Sequence, residues 1–356
     1  MLDSTFVEAK IWLLDQANAV VENKTFMDSV RRAAIAQRSS LGEFDRVSLD
    51  RVLAFRDARW EDAYLASRHL ATIAPTTPDA LVHLAESAMN TRRYGEAISA
   101  LHRRDAMKDN WTRNLPNYKM WDLQAHRLMG DLPTAITEWR QVRSEQPASL
   151  NMCMIGLEVL AAAGRETEVD SMVPTCVAVR RAPSTSEGPW MMAGNLYRAY
   201  GYLPAARRAF RRAASADSAA PTILKGTQSL HAQIQSQLGE WRSAYANLQT
   251  LTDTSDFRSR VYFAVVAAHV GDTATVAATL RWIDESARRA ELGNSAHKEA
   301  RAFIVLAQGR RDEAIALLSE AIETGASPFL RGWYTHWELD PLRNDQRFKH
   351  LVQPRR

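Results

Sequence analysis

Cysteine is almost missing from this chain, with Cys153 and Cys176 the only two in 356 residues. Each lies within a helical apolar pattern, so two buried thiols are expected, with a disulfide the lesser alternative. Long hydrophobic runs are missing too. The one sustained stretch, Val261 to Val270, carries Tyr262 and His269 inside it and is too short to cross a bilayer. No charged, then apolar, then small-residue leader follows Met1, so no signal peptide is read and a cytoplasmic location is expected, or an extracytoplasmic one if the chain is a piece of a membrane protein. The motifs of phosphate-cradling loops, dinucleotide sites, zinc proteases and esterase elbows are all lacking. His102-Arg103-Arg104-Asp105 has the letters of a kinase catalytic loop but not the Asn, the Asp-Phe-Gly or the phosphate-covering loop that the chemistry needs. The nine histidines are scattered with no pair at ligand spacing, so neither metal nor cofactor is expected. The formal charge of +4 is spread over arginine doublets such as Arg31-Arg32, Arg207-Arg208 and Arg211-Arg212, set beside acids. Nothing gathers them into a basic stripe interleaved with aromatics, which argues against nucleic acid.

What the chain does have is a recurring unit. At 46% apolar and 24% charged it has an ordinary globular composition. The clearest copy runs from Glu187 to Ser218. Trp190, Tyr197, Leu203 and Phe210 supply large apolar surface, while Gly194, Ala206 and Ala213 let two antiparallel helices approach closely. Gly201 breaks the pattern between them, as a residue just past a helix end should. Turn glycines at Gly130, Gly164, Gly201, Gly239, Gly271 and Gly309 recur at steps of 34, 37, 38, 32 and 38 residues, each ahead of an apolar-periodic helix. In this register Trp190, Gly194, Tyr197, Ala206, Phe210 and Ala213 occupy the large and small consensus positions of a tetratricopeptide repeat, and the chain resembles that family. The resemblance implies an all-α fold: an α-α superhelix, a solenoid of antiparallel helix hairpins.

Three regions are expected. Residues 1–43 hold a partial repeat, with Phe6, Ala9, Leu13 and Ala17 on one helical face and Phe26, Val30, Ala33 and Ala34 on the next. Leu2-Asp3-Ser4 looks like the close of a preceding repeat, which suggests an array beginning upstream. Residues 44–328 hold about seven to eight hairpins, with a Ser/Thr/Gly/Pro-rich loop from Pro183 to Pro189. Residues 329–356 form a tail, Leu339-Asp340-Pro341-Leu342-Arg343 running to Arg347-Phe348, that is similar to the tails of many bacterial tetratricopeptide arrays. Two readings of its aromatics stay open: a cap over the last repeat, or a partner-binding patch.

The family's first helices line a concave groove, and the resemblance implies groove positions here. These are Gln124, Asn195 and Gln233, then Arg127 and Arg198, with Met120, Met154 and Met191 at a further position. Amides suit a peptide backbone, arginines suit carboxylates, and methionines adapt to varied apolar side chains. The Lys and Asn set by which some family members clamp a chaperone's terminal carboxylate is absent from these positions. The implied function is a non-catalytic scaffold that binds a protein or peptide in its groove. The alternative is the regulatory C-terminal portion of a bacterial multidomain signalling protein, whose kinase, cyclase or transcription-activating part lies outside this chain.

Overall fold

A computed structural model describes residues 6–20, 24–107, 116–145, 150–179, 187–218, 225–250, 257–289 and 294–355, and among them there is helix but no strand. The helices come in consecutive pairs. These are α1 (Val7–Val20) with α2 (Lys24–Ala36), α3 (Glu43–Arg56) with α4 (Trp60–Ile73), and α5 (Pro78–Asn90) with α6 (Tyr94–Asp105). Next come α7 (Pro116–Met129) with α8 (Leu132–Glu145), α9 (Leu150–Ala162) with α10 (Glu166–Ala178), and α11 (Glu187–Ala199) with α12 (Leu203–Ser218). Then α13 (Lys225–Leu238) pairs with α14 (Trp241–Thr250), α15 (Phe257–Val270) with α16 (Thr273–Arg288), and α17 (Asn294–Ala307) with α18 (Arg311–Glu323). A 3-10 turn over Trp337–Leu342 and α19 (Gln346–Val352) close the series. None of the described helices is long and apolar enough to span a membrane. The chain divides into two compact units, Met1–Ala125 with Pro354–Arg356, and His126–Gln353.

One turn is used eight times. Gly130, Gly164, Gly201, Gly239, Gly271 and Gly309 all have φ between 68° and 86°, the left-handed region that a Cβ disfavours. Each lies two residues ahead of the second helix of its pair. The amide after it reaches back five residues to a carbonyl, as Tyr202 N does to Tyr197 O at 2.8 Å and Asp131 N to His126 O at 2.9 Å. In the first unit the same place is held by Ala58 (φ 54°) and Arg92 (φ 66°), whose followers Arg59 and Arg93 bond to Ala54 O and Ala88 O at 2.8 Å. The glycine series therefore extends backward without glycine.

Packing between paired helices follows the small-against-large pattern. A Cβ placed on Gly194 would fall 2.6 Å from Cδ1 of Phe210, so only a bare backbone lets α11 approach α12 this closely. Ala206, Phe210 and Ala213 are buried beside it, and Arg212 covers Trp190 with its guanidinium 4.6 Å from the ring centroid. Leu203 departs from expectation: at 53% exposed it opens α12 on the outside. The face of the first helix also differs. Val7, Ile11 and Leu14 enter the core with Met27, Val30 and Ala34, while Phe6 and Phe26 are exposed. Spacing of four and three residues defines two adjacent seams on that helix, and the aliphatic one wins the interior. Helix α11 begins at Glu187, so Pro189 sits in its first turn, where a missing N–H costs nothing, and not in a loop. The Leu2-Asp3-Ser4 motif and residues 183–186 lie outside the described residues.

The cysteines correct the sequence reading. Cys153 on α9 and Cys176 on α10 form a disulfide, with Cα atoms 5.4 Å apart. They stand 11 and 12 residues from Gly164 on either arm of its hairpin, so antiparallel packing brings them face to face.

Candidate functional site

In the second unit α9 packs on α11 and α15 on α17, so in these two places the first helices of neighbouring hairpins run side by side. The candidate site gathers residues of α11, α13, the start of α14, α15 and the segment after α18. Its centre is Arg198, in the last turn of α11. The side chain is 12% exposed, and each arm of the guanidinium has an acceptor. Nη2 donates to Oδ1 of Asn195 at 3.1 Å, and Nη1 donates to Oε1 of Gln237. Nε lies 2.7 Å from Oδ2 of Asp340, an ionic contact and not a well-aligned hydrogen bond. The ring of Phe210 lies below, 5.6 Å from the guanidinium carbon. Burial pulls the Arg198 pKa down to about 10, against the opposing pull of Asp340.

Asp340 belongs to the tail, and the tail's own sequence explains why it is held there. Arg343 donates from Nε to Oδ1 of Asp340 at 2.7 Å, from Nη1 to Tyr334 O at 2.8 Å and from Nη2 to His336 O at 3.0 Å. These bonds wind the 3-10 turn. Asp345 then caps α19 by accepting from the amide of Arg347 at 2.9 Å, and its carboxyl falls to about 2 beside Arg347. Leu339 and Leu342 alternate inward and are fully buried with Trp333 and Phe348 among the apolar side chains of α15 to α18. Trp333 Nε1 donates to the buried carboxylate of Glu299. One side of the turn thus covers the final repeats, while the other side faces Arg198 of α11, Trp241 of α14 and the rings of α15.

On that other side Trp337 meets three rings. Its centroid is 5.7 Å from Trp241, 6.1 Å edge-on from Tyr262 and 6.3 Å from His269. Trp241 and His269 stack at 3.8 Å, 11° from parallel, and burial lowers the His269 pKa. Tyr262 exchanges a 2.6 Å hydrogen bond with Ser236, and burial raises its pKa. His336 lies 5.3 Å from the Phe303 ring and 3.5 Å from Glu338. Burial opposes its protonation, but Glu338 and Glu299 outweigh this and raise the pKa. A cavity of about 370 Å³ remains between these groups, lined by Arg198, Arg207, Trp241, Phe303, Trp337 and Asp340. Cations, an amide pair and aromatic walls can hold a carboxylate and an apolar side chain, and no nucleophile–base pair stands among them.

The other residues expected from the sequence fall as follows. Arg127 is buried, with Nη1 donating to Tyr200 Oη at 3.2 Å and Nη2 3.4 Å from Glu158. Met191 is 5% exposed and fills the interior. Gln233 is half-buried on α13, one turn before Gln237. Gln124, Met120 and Met154 are half-buried, the first two in the first unit. Within the expected set, Asn195 and Arg198 are joined by a hydrogen bond. Sequence reasoning missed Gln237, although its spacing of four from Gln233 puts both on one helical face. It also missed Asp340, visible only as part of the tail motif.

Eight hairpins share one left-handed turn, and in the second unit α9 packs on α11 and α15 on α17. The fold is a tetratricopeptide-like helical repeat. No protein-family model and no curated protein matches the sequence of this repeat chain. Among solved structures it is similar to a tetratricopeptide repeat protein from Parabacteroides merdae, at 13% identity and a TM-score of 0.39, over 72% of this chain and 97% of that one. The apo form of RapI is similar at 10% identity and a TM-score of 0.39, over 89% of this chain and 97% of that one. A Rap protein complexed with competence and sporulation factor is similar at 8% identity and a TM-score of 0.36, over 90% of this chain and 98% of that one.

Proposed function

We propose that the second unit is a non-catalytic binding module that takes a peptide or protein segment on its inner face. Asn195 and Arg198 anchor a carboxylate of the partner, and Gln233 with Gln237 offers amides to its backbone. The observation that carries this reading is Arg198: a guanidinium 12% exposed, its three arms already set by Asn195, Gln237 and Asp340 in a wall of aromatic rings. Ordering such a fork before the partner arrives lowers the entropy cost of capturing a carboxylate. Selection of a displayed random-peptide library on the immobilised protein tests it. Enrichment of Asp- or Glu-containing sequences, lost on the N195A/R198A double variant, is the expected outcome. No enrichment over a blank surface refutes the reading.

A further inference from the structure

The groups of the candidate site on α11, α14 and α15 are already contacted by a segment of the chain itself. The turn Trp337-Glu338-Leu339-Asp340 lays an aromatic ring against Trp241, Tyr262 and His269, and three residues later a carboxylate against Arg198. From the geometry we infer that this turn is an intramolecular stand-in for the partner. The partner then carries an aromatic residue followed at the third position by Asp or Glu, and it binds by displacing Trp337 and Asp340 from their subsites. The inference rests on the peptide-binding reading and specifies its ligand.

Three observations support it. The two contacts touch separate parts of the face: Arg198 belongs to α11, while the aromatic subsite is built from the start of α14 and from α15. The occupant therefore bridges three hairpins, as an added peptide would. The turn is also two-sided. Leu339 and Leu342 are fully buried, whereas Trp337 and Asp340 are half-exposed and Pro341 is exposed. Moving Asp340 and Trp337 thus leaves Leu339 and Leu342 in the interior and gives up only the contact that Trp337 makes with its edge. Finally, Asp340 has a second cation in Arg343, so leaving Arg198 does not strand its charge. Release of a buried carboxylate with no other partner would cost far more.

A tethered occupant acts at a high effective concentration and weakens every competitor in inverse proportion to the fraction of time it is away. The probe is a synthetic peptide reproducing residues 336–343, His-Trp-Glu-Leu-Asp-Pro-Leu-Arg. It is titrated by calorimetry into the wild type, into the W337A/D340A double variant, and into D340N, which keeps the shape of the turn and removes only its carboxylate. The expected result is binding at least about tenfold tighter to the double variant, an intermediate gain for D340N, and loss of binding when R198A is added. Hydrogen exchange across 337–345 should accelerate in the wild type at saturating peptide. Equal affinity for all three proteins overturns the inference, as does slowed exchange in the tail, which would place the peptide beside the turn and not in its stead. Absence of binding to the correctly folded D340N variant overturns it as well. If library-selected peptides bind the wild type and the double variant alike, this inference falls and the peptide-binding reading stands.

Discussion

Single residues carry the turn and the close helix approach, and substitutions there have predictable signs. Ala58 holds a left-handed φ of 54° that glycine would adopt freely. An L-residue costs about 1–2 kcal/mol there, while glycine loses about 0.5–1 kcal/mol more backbone entropy on folding. Ala58→Gly should therefore stabilise the first unit by roughly 0.5–1 kcal/mol, seen as a higher midpoint in urea. The opposite sign is expected at Gly194, where a methyl group would strike the Phe210 ring. Gly194→Ala should cost about 1–3 kcal/mol, and the second unit's denaturation midpoint should fall accordingly. A third residue responds to acidity. Glu86 on α5 is half-buried near Arg51 and Asp15, and its partial burial raises its pKa to about 7 despite the guanidinium. Protonation is thus easier in the folded chain, so its contribution to stability is complete below pH 4.5 and disappears as pH rises through about 7. The neighbouring His83 has the reverse sign. Burial holds its pKa near 3, so it costs stability as pH falls below 6.5. Glu86→Gln should raise the thermal midpoint at pH 8, with a gain on the order of 2 kcal/mol, and change little at pH 4. Equal midpoints for the two proteins at pH 8 would refute this.

At the scale of a helix pair, the disulfide between α9 and α10 makes one hairpin unlike its neighbours. It closes a loop with a sequence separation of 23 residues, for which the chain-entropy estimate is about 3 kcal/mol. Reduction, or the C153S/C176S pair, should lower the unfolding midpoint and speed hydrogen exchange in α9 and α10 first. This bond was legible in principle, since nearly equal arms about Gly164 place the two sulfurs opposite one another. The helical apolar pattern around each cysteine pointed to buried thiols, because two cysteines among 356 residues give no pairing pattern. The same contrast runs through the repeats. Hairpins from Gly130 onward announce themselves by glycine. The hairpin around Ala58 reads weakly and neither it nor the one around Arg92 is announced by glycine, because alanine and arginine sit in the same backbone well, where local hydrogen bonding and packing override propensity. The centre of the candidate site was half visible. Asn195 and Arg198 follow from position within a repeat, whereas Asp340 lies 142 residues beyond Arg198, and no local periodicity connects them.

At the scale of a whole unit, the tail completes the interior of residues 126–353 instead of trailing from it. Trp333 is fully buried and bonds Glu299. Trp333→Ala removes the ring and leaves a buried carboxylate short of its donor, at a cost of roughly 3–5 kcal/mol. Amide protection in α15 to α18 should drop sharply, while α3 to α6, which belong to the other unit, should keep theirs, because repeat arrays pass stability mainly between neighbours. Uniform loss of protection in both units would contradict that picture.

The pair Arg198–Asp340 spans the three hairpins from α13 to α18. Solenoids ordinarily grow and shrink by duplication or loss of a module, with little penalty for the total number. Here an inserted or deleted hairpin between α12 and α18 would carry the guanidinium and its carboxylate out of register. The contact therefore works as a ruler: it fixes how many modules this stretch holds, and any lineage that altered the number would have had to give up its resident ligand.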